Sequence, residues 1–189
     1  MGKLIVATNQ NDILARAINS GEYKPNEVKS TLTPSMDIQI SSNFERLLFD
    51  VSEQSEKRVI SLMNDLKNKG SFSLETKEIN VIKDIFDAEA IDDDETIRII
   101  RDFFNNFGFI LDPHTATAVG ASYKIKNKLP TVVLGTAHPY KFADTVKIAI
   151  NRDISIPEQI AALPEKKEKF EILDNNLQKV KNYILEKIK

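Results

Sequence analysis

Leu4, Ile5, Val6 and Ala7 make an unbroken apolar run at the start of the chain, the pattern of a strand buried on both faces. Ile13, Leu14, Ala17 and Ile18 then recur at helical spacing within residues 11–19, and Gly21 stands where such a helix would stop. Val28, Ser30 and Leu32 alternate as in a strand, and a second extended stretch is predicted from Pro34 through Ile38 and Ile40. The period changes at Ser42 and Glu45, which read as a capping box ahead of Phe44, Leu47, Leu48 and Val51. Helical spacing continues through Val59 to Leu66, Ile79 to Phe86 and Ile97 to Phe104, with Gly70 and Gly108 as stops and Phe72 and Leu74 as a lone strand hint. Residues 43–108 therefore read as a helical insertion in an α/β frame.

The alternating frame resumes at Phe109 to Leu111, and Asp112 with Pro113 suits an N-cap and first helical residue. Ala116, Ala118, Gly120 and Ala121 give the helix that follows little side-chain volume, so a neighbouring helix or a flat ligand can approach closely. Thr131 to Leu134 reads as another buried strand, residues 135–139 as a loop, and Phe142 to Ala149 as a helix. Residues 156–189 read as C-terminal helices, with Leu173, Leu177, Val180, Ile184 and Ile188 at helical spacing, closing onto a body that makes 1–189 one domain. Because a polar lead-in normally precedes a first core strand, the abrupt start reads as a cut within a larger fold.

Composition narrows the partners. Lys and Arg total 26 against 28 Asp and Glu, a formal charge of -2, so no basic field is available for nucleic acid or an anionic membrane. There is no cysteine, which removes disulfides, Cys-ligated zinc and thiolate catalysis and fits the cytoplasm. No stretch reaches the roughly 20 apolar residues of a membrane span, and no secretory leader is visible.

In open α/β sheets ligands bind beyond the carboxyl ends of strands. The candidate positions are thus Thr8, Asn9, Asn11 and Asp12, then Asp112, His114 and Thr115, then Thr136, Ala137 and His138. Each group also has the composition of a helix cap, so spacing alone leaves both readings open. His114 and His138 fit no metal-binding spacing, no G-x-S-x-G elbow supports a serine triad, and no metal site is expected. Asp92 to Glu95 lacks a calcium loop's ligand spacing and glycine, and reads as a helix N-terminus.

Four ordered blocks are more specific: ATNQNDILAR (Ala7 to Arg16), TPSMDIQISSNFERLLFD (Thr33 to Asp50), DPHTATAVGA (Asp112 to Ala121) and VVLGTAHPYKF (Val132 to Phe142). Together they resemble the C-terminal part of threonine synthase, in the branch with a helical insertion. The resemblance implies part of the large cofactor domain of a fold-type II, tryptophan-synthase-β-like enzyme, an open, mostly parallel sheet flanked by helices. It further implies a lyase of threonine biosynthesis that uses pyridoxal 5′-phosphate to convert O-phospho-L-homoserine and water to L-threonine and phosphate. By position, Thr136 would face the cofactor's ring nitrogen, and Asp112, His114 and Thr115 would line the cofactor pocket. Thr8, Asn9, Asn11, Asp12 and the segment Ser35 to Asp37 would shape the substrate pocket.

The family's Schiff-base lysine and glycine-rich phosphate loop have no counterpart among these residues. Lys83 and Asp84 sit on an ordinary helical pattern instead. The expectation is therefore a piece with no catalytic residue of its own, binding no cofactor alone, whose partners are the remaining N-terminal part of the enzyme or a second copy through the cut surface. The alternative is a stand-alone binding or regulatory module derived from the same fold. A related dehydratase or sulfhydrylase would not carry the full TAHPYKF and SSNFERLLF strings.

Overall fold

The computed structural model describes residues 2–125 and 129–188. The chain divides into two compact units, residues 1–155 and 156–189. The first unit is α/β, built on strand β1 (Leu4–Thr8) paired in parallel with β4 (Phe86–Ala90), in register from Leu4 opposite Phe86 to Thr8 opposite Ala90. A short antiparallel pair joins β2 (Glu22–Tyr23) to β3 (Phe72–Ser73). The helices are α1 (Ile13–Ser20), α2 (Phe44–Val51), α3 (Glu56–Lys69), α4 (Thr76–Ile85), α5 (Asp93–Phe107), α6 (Pro113–Lys124) and α7 (Ala143–Ile150).

Where local chemistry is strong, helix ends fall where the sequence puts them. Gly21, Gly70 and Gly108 all take left-handed C-cap conformations. At Gly21, with φ of 77°, a Cβ would also lie 2.4 Å from Ile79 Cδ1, so two constraints demand glycine there. Asp92 and Glu95 form a reciprocal capping box at α5, and Asp112 caps α6. Ser42 does not cap α2: Asn43 holds the N-cap position, and without a side-chain bond.

Two buried clusters fill the unit. One surrounds Ile13, Leu48, Leu62 and Ile82, with Tyr23 stacked on Phe44 at 5.3 Å and on Phe72 at 4.7 Å. The other packs Ile100 of α5 against Leu111 in the preceding loop, against Ala116 and Val119 of α6, and against Ala149 of α7. The small residues of α6 serve this contact: a Cβ on Gly120 would lie 2.4 Å from Ile99 Cδ1. Glu78, 1% exposed, accepts from Arg58 Nε and Nη2, both at 2.8 Å.

Several predicted elements differ. The 43–108 stretch is mostly helical, yet it contributes β4, where a helix was expected to run through Phe86. Phe86, Ala88 and Ala90 alternate with Asp87 and Glu89, and pairing with β1 decides the state. Residues 28–32 form no strand, and Pro34–Met36 is a 3-10 turn rather than an extended stretch. Their backbone donors are taken by side chains: Lys29 N by Asn11, Thr31 N by Asp37 and Leu32 N by Asp93.

Residues 109–111 and 131–134 also join no ladder among the described residues. Val132 and Leu134 are 84% and 74% exposed, not buried, because no neighbouring strand of the described chain covers them. For the same reason β1 is half-exposed on a two-stranded sheet, with Leu4 47% exposed, rather than buried on both faces.

The second unit contains α8 (Glu158–Ala161) and α9 (Leu177–Lys187), the latter capped by Asn176, which accepts from Gln178 N and Lys179 N. No helix among the described residues is long and apolar enough to cross a membrane.

Candidate functional site

Beyond the end of β1 the chain turns through a dense polar hub. Asn9 Nδ2 donates to Thr31 Oγ1 at 2.8 Å, Thr33 Oγ1 at 2.9 Å and Asp37 Oδ1 at 2.7 Å, while Asn9 Oδ1 accepts from Asn11 N at 2.8 Å. Asn11 Nδ2 donates to Asp37 Oδ1 at 3.0 Å. Asp37 also accepts from Thr31 N and from the Thr31 hydroxyl, so four donors meet one carboxylate. This satisfaction lets Asn9 and Asn11, 1% and 2% exposed, stay buried. Nearby, burial pushes the Asp93 carboxyl up, against the hydrogen bond from Leu32 N. The hub fixes the 3-10 turn that carries Ser35 and Met36. Thr31, Thr33 and Gln39 were missed as hub members; the signal was polar side chains at 31, 33, 37 and 39, all odd positions.

At the start of α6, Asp112 Oδ1 accepts from His114 N at 2.9 Å and Thr115 N at 3.2 Å. Its Oδ2 accepts from the Thr115 hydroxyl. Thr115 Oγ1 in turn accepts from Thr136 N at 3.1 Å, which ties the 131–138 loop to the helix. His114 packs on the Phe142 ring at 4.7 Å between centroids. Both its ring nitrogens are buried without a hydrogen-bond partner, and Nδ1 lies 3.6 Å from Asp112 Oδ1, beyond bonding reach. Burial pushes the His114 imidazole below its ordinary value, with Asp112 opposing, which favours the neutral ring.

These pieces meet at a cavity of about 660 Å³. Its walls are β1 at Leu4, Ile5 and Ala7, the turn at Ser35 and Met36, α6 at His114, Ala118 and Ser122, and the run from Leu129 to Leu134 with Thr136. Of the residues that the resemblance assigns to the cofactor or substrate, Ser35 and Met36 of the 35–37 segment, His114 and Thr136 reach the cavity. Asn9, Asn11, Asp37, Asp112 and Thr115 stand behind it as supports. Thr8 is 7% exposed with its hydroxyl unpartnered, and Asp12 accepts from Arg16 Nε at 2.9 Å. On the small-residue helix Gly120 faces Ile99 and Ile91, while Ala118 and Ser122 face the cavity. No metal-binding cluster of His, Asp or Glu occurs among the described residues.

A family model described as threonine synthase, C-terminal, matches residues 115–184. Threonine synthase of Pseudomonas aeruginosa is 40% identical over 187 residues, covering 97% of this chain and 40% of that protein. The Saccharomyces cerevisiae threonine synthase is 34% identical over 214 residues, covering 98% of this chain and 41% of that protein. The crystal structure of PLP-bound threonine synthase from Brucella melitensis superposes with a TM-score of 0.85 at 42% identity, over 96% of this chain and 39% of that one. The yeast threonine synthase structure gives 0.80 at 35% identity, over 98% of this chain and 42% of that one. The chain thus spans about 40% of the length of the curated relatives it matches. Family model, sequence identity and shared fold together identify the chain as the counterpart of the C-terminal part of threonine synthases.

Proposed function

We propose that this chain supplies one wall of the cofactor and substrate site of a threonine synthase, a pyridoxal-phosphate lyase that converts O-phospho-L-homoserine and water to L-threonine and phosphate. One observation carries the reading: three segments far apart in sequence bring Ser35, His114 and Thr136 to a single cavity. The residues fit one edge of the cofactor. Thr136 is exposed there, and its hydroxyl makes no hydrogen bond among the described residues, so it is free to donate to a ring nitrogen without surrendering its proton. When bound, pyridoxal phosphate supplies the electron sink for the reaction. A neutral hydroxyl moderates that sink by leaving the ring nitrogen unprotonated. His114, whose imidazole burial favours as the neutral ring, lines the cavity beside it.

Ser35 faces the cavity as a substrate contact, while Asn9, Asn11 and Asp37 hold its turn in place. Asp112 and Thr115 act in the same supporting way for Thr136. Thr8 and Asp12 shape the substrate pocket from behind, since neither lines the cavity. The six glycines are scattered along the chain and build no phosphate-cradling loop, and the cavity-lining Lys3 is engaged with Asp87 at 2.9 Å. On that ground the 189 residues bind no cofactor and turn over no substrate alone. The partner is the remaining part of the enzyme, which covers Val132 and Leu134 and works with this chain in the cytoplasm; without it the exposed run drives self-association.

The test mixes the purified chain with pyridoxal phosphate and O-phosphohomoserine, alone and together with the N-terminal part of a threonine synthase. Phosphate release is expected only from the mixture. Release by the chain alone, or a borohydride-fixed cofactor on one of its lysines, would overturn the reading.

A further inference from the structure

The loop that carries Thr136 has no secondary structure of its own from residue 131 to 136. Among the described residues its backbone is anchored by a side chain: Thr136 N donates to Thr115 Oγ1 at 3.1 Å. Thr115 is 7% exposed and does not line the cavity, so its hydroxyl works from behind. That hydroxyl has one proton, and Asp112 Oδ2 takes it. The oxygen is thereby left as an acceptor, aimed at the Thr136 amide. Asp112 cannot turn to solvent instead, because its other oxygen is held by His114 N and Thr115 N at the start of α6.

We propose that Thr115, oriented by Asp112, is a positioning residue that fixes the backbone of Thr136 and so aims its free hydroxyl into the cavity. This rests on the reading of Thr136 as the group beside the cofactor. A helix cap explains the bonds from Asp112 to the two amides, yet a cap has no use for a bond reaching residue 136.

Thr115→Val keeps the shape and both capping amides, so α6 should survive, while Thr115→Ser keeps the hydroxyl. Amide hydrogen exchange in the chain itself reads the tether. Exchange at Thr136 should rise roughly tenfold in Thr115→Val, as expected for a lost hydrogen bond, with the amides of His114 and residue 115 still protected. In Thr115→Ser it should return to the wild-type rate. Unchanged exchange in Thr115→Val, or no rescue by serine, would overturn the proposal.

The second arm uses a complete threonine synthase carrying this sequence and loaded with pyridoxal phosphate. Thr115→Val and Thr136→Val should perturb the cofactor absorbance alike, and the double variant no more than either. A spectrum altered by Thr136→Val alone would also overturn the positioning role. If neither variant alters the spectrum while the exchange results hold, it is the placement of Thr136 beside the cofactor that fails.

Discussion

Asn11 grips both backbone polar groups of Lys29: its Oδ1 accepts from Lys29 N at 2.8 Å, and its Nδ2 donates to Lys29 O at 2.9 Å. A side-chain amide therefore stands in for the neighbouring strand that residues 28–32 lack. Asn11→Ala should expose the amide of Lys29 to exchange and lower stability by about 0.5–1.5 kcal/mol for each part-buried hydrogen bond lost. Denaturant unfolding with residue-resolved exchange checks it. A Lys29 amide that stays protected would show that the loop is held by other means.

That substitution also explains what the sequence hides. The glycine stops at Gly21, Gly70 and Gly108 and the caps at Asp92 and Asp112 were legible, because each acts within about one turn of the chain. The strand at Phe86–Ala90 was not, although Phe86, Ala88 and Ala90 alternate with acids, because alanine and glutamate favour helix until β1 lies alongside. Val28 to Leu32 and Thr131 to Leu134 carry strand-like patterns without ladders, since a ladder depends on a partner that local pattern does not specify. The site divides the same way. The candidate loops were readable, but which members face the cavity depends on bonds between residues 9 and 37, or 115 and 136, that no spacing rule reveals.

The Arg58–Glu78 pair makes a sharper test of energetics. Hydrogen bonds from Arg58 hold the buried Glu78 carboxyl below its ordinary range. Arg58→Met strands that charge and should destabilise the chain by about 3–5 kcal/mol. Arg58→Met with Glu78→Gln should recover a large part of the loss, since no buried charge then remains. Thermal melts of the two variants decide; equal loss in both would mean that packing by the Arg58 stem, not charge, is what matters.

Acid should weaken the fold in two stages, with the same sign. Burial lowers the His114 pKa in the folded chain, so as pH falls below about 6.5 the unfolded chain takes up that proton first. The stability His114 contributes is present above that pH and is lost as pH drops through the folded-state value. Glu78, depressed chiefly by its hydrogen bonds to Arg58, adds a second loss below about 4.3. His114→Gln should flatten the upper stage of a plot of melting temperature against pH and leave the lower one. An unchanged profile would mean that His114 is solvated in the folded state.

Thr136 separates a ligand contact from a structural residue. Its tether uses the backbone N–H, which Thr136→Val retains, and its side chain is exposed. The melting temperature of the chain should therefore stay at the wild-type value. In a complete, cofactor-loaded enzyme the same change removes the hydroxyl facing the ring nitrogen and leaves that nitrogen unpaired. A lost buried hydrogen bond of this kind costs about 1–3 kcal/mol, so cofactor retention or kcat/KM should fall roughly tenfold or more. Thr136→Ser keeps the hydroxyl and should restore most of the loss. Equilibrium dialysis of the cofactor and steady-state kinetics on the three proteins give the answer. A valine variant with a lowered melting temperature but unaltered cofactor binding and turnover would reduce Thr136 to a loop residue.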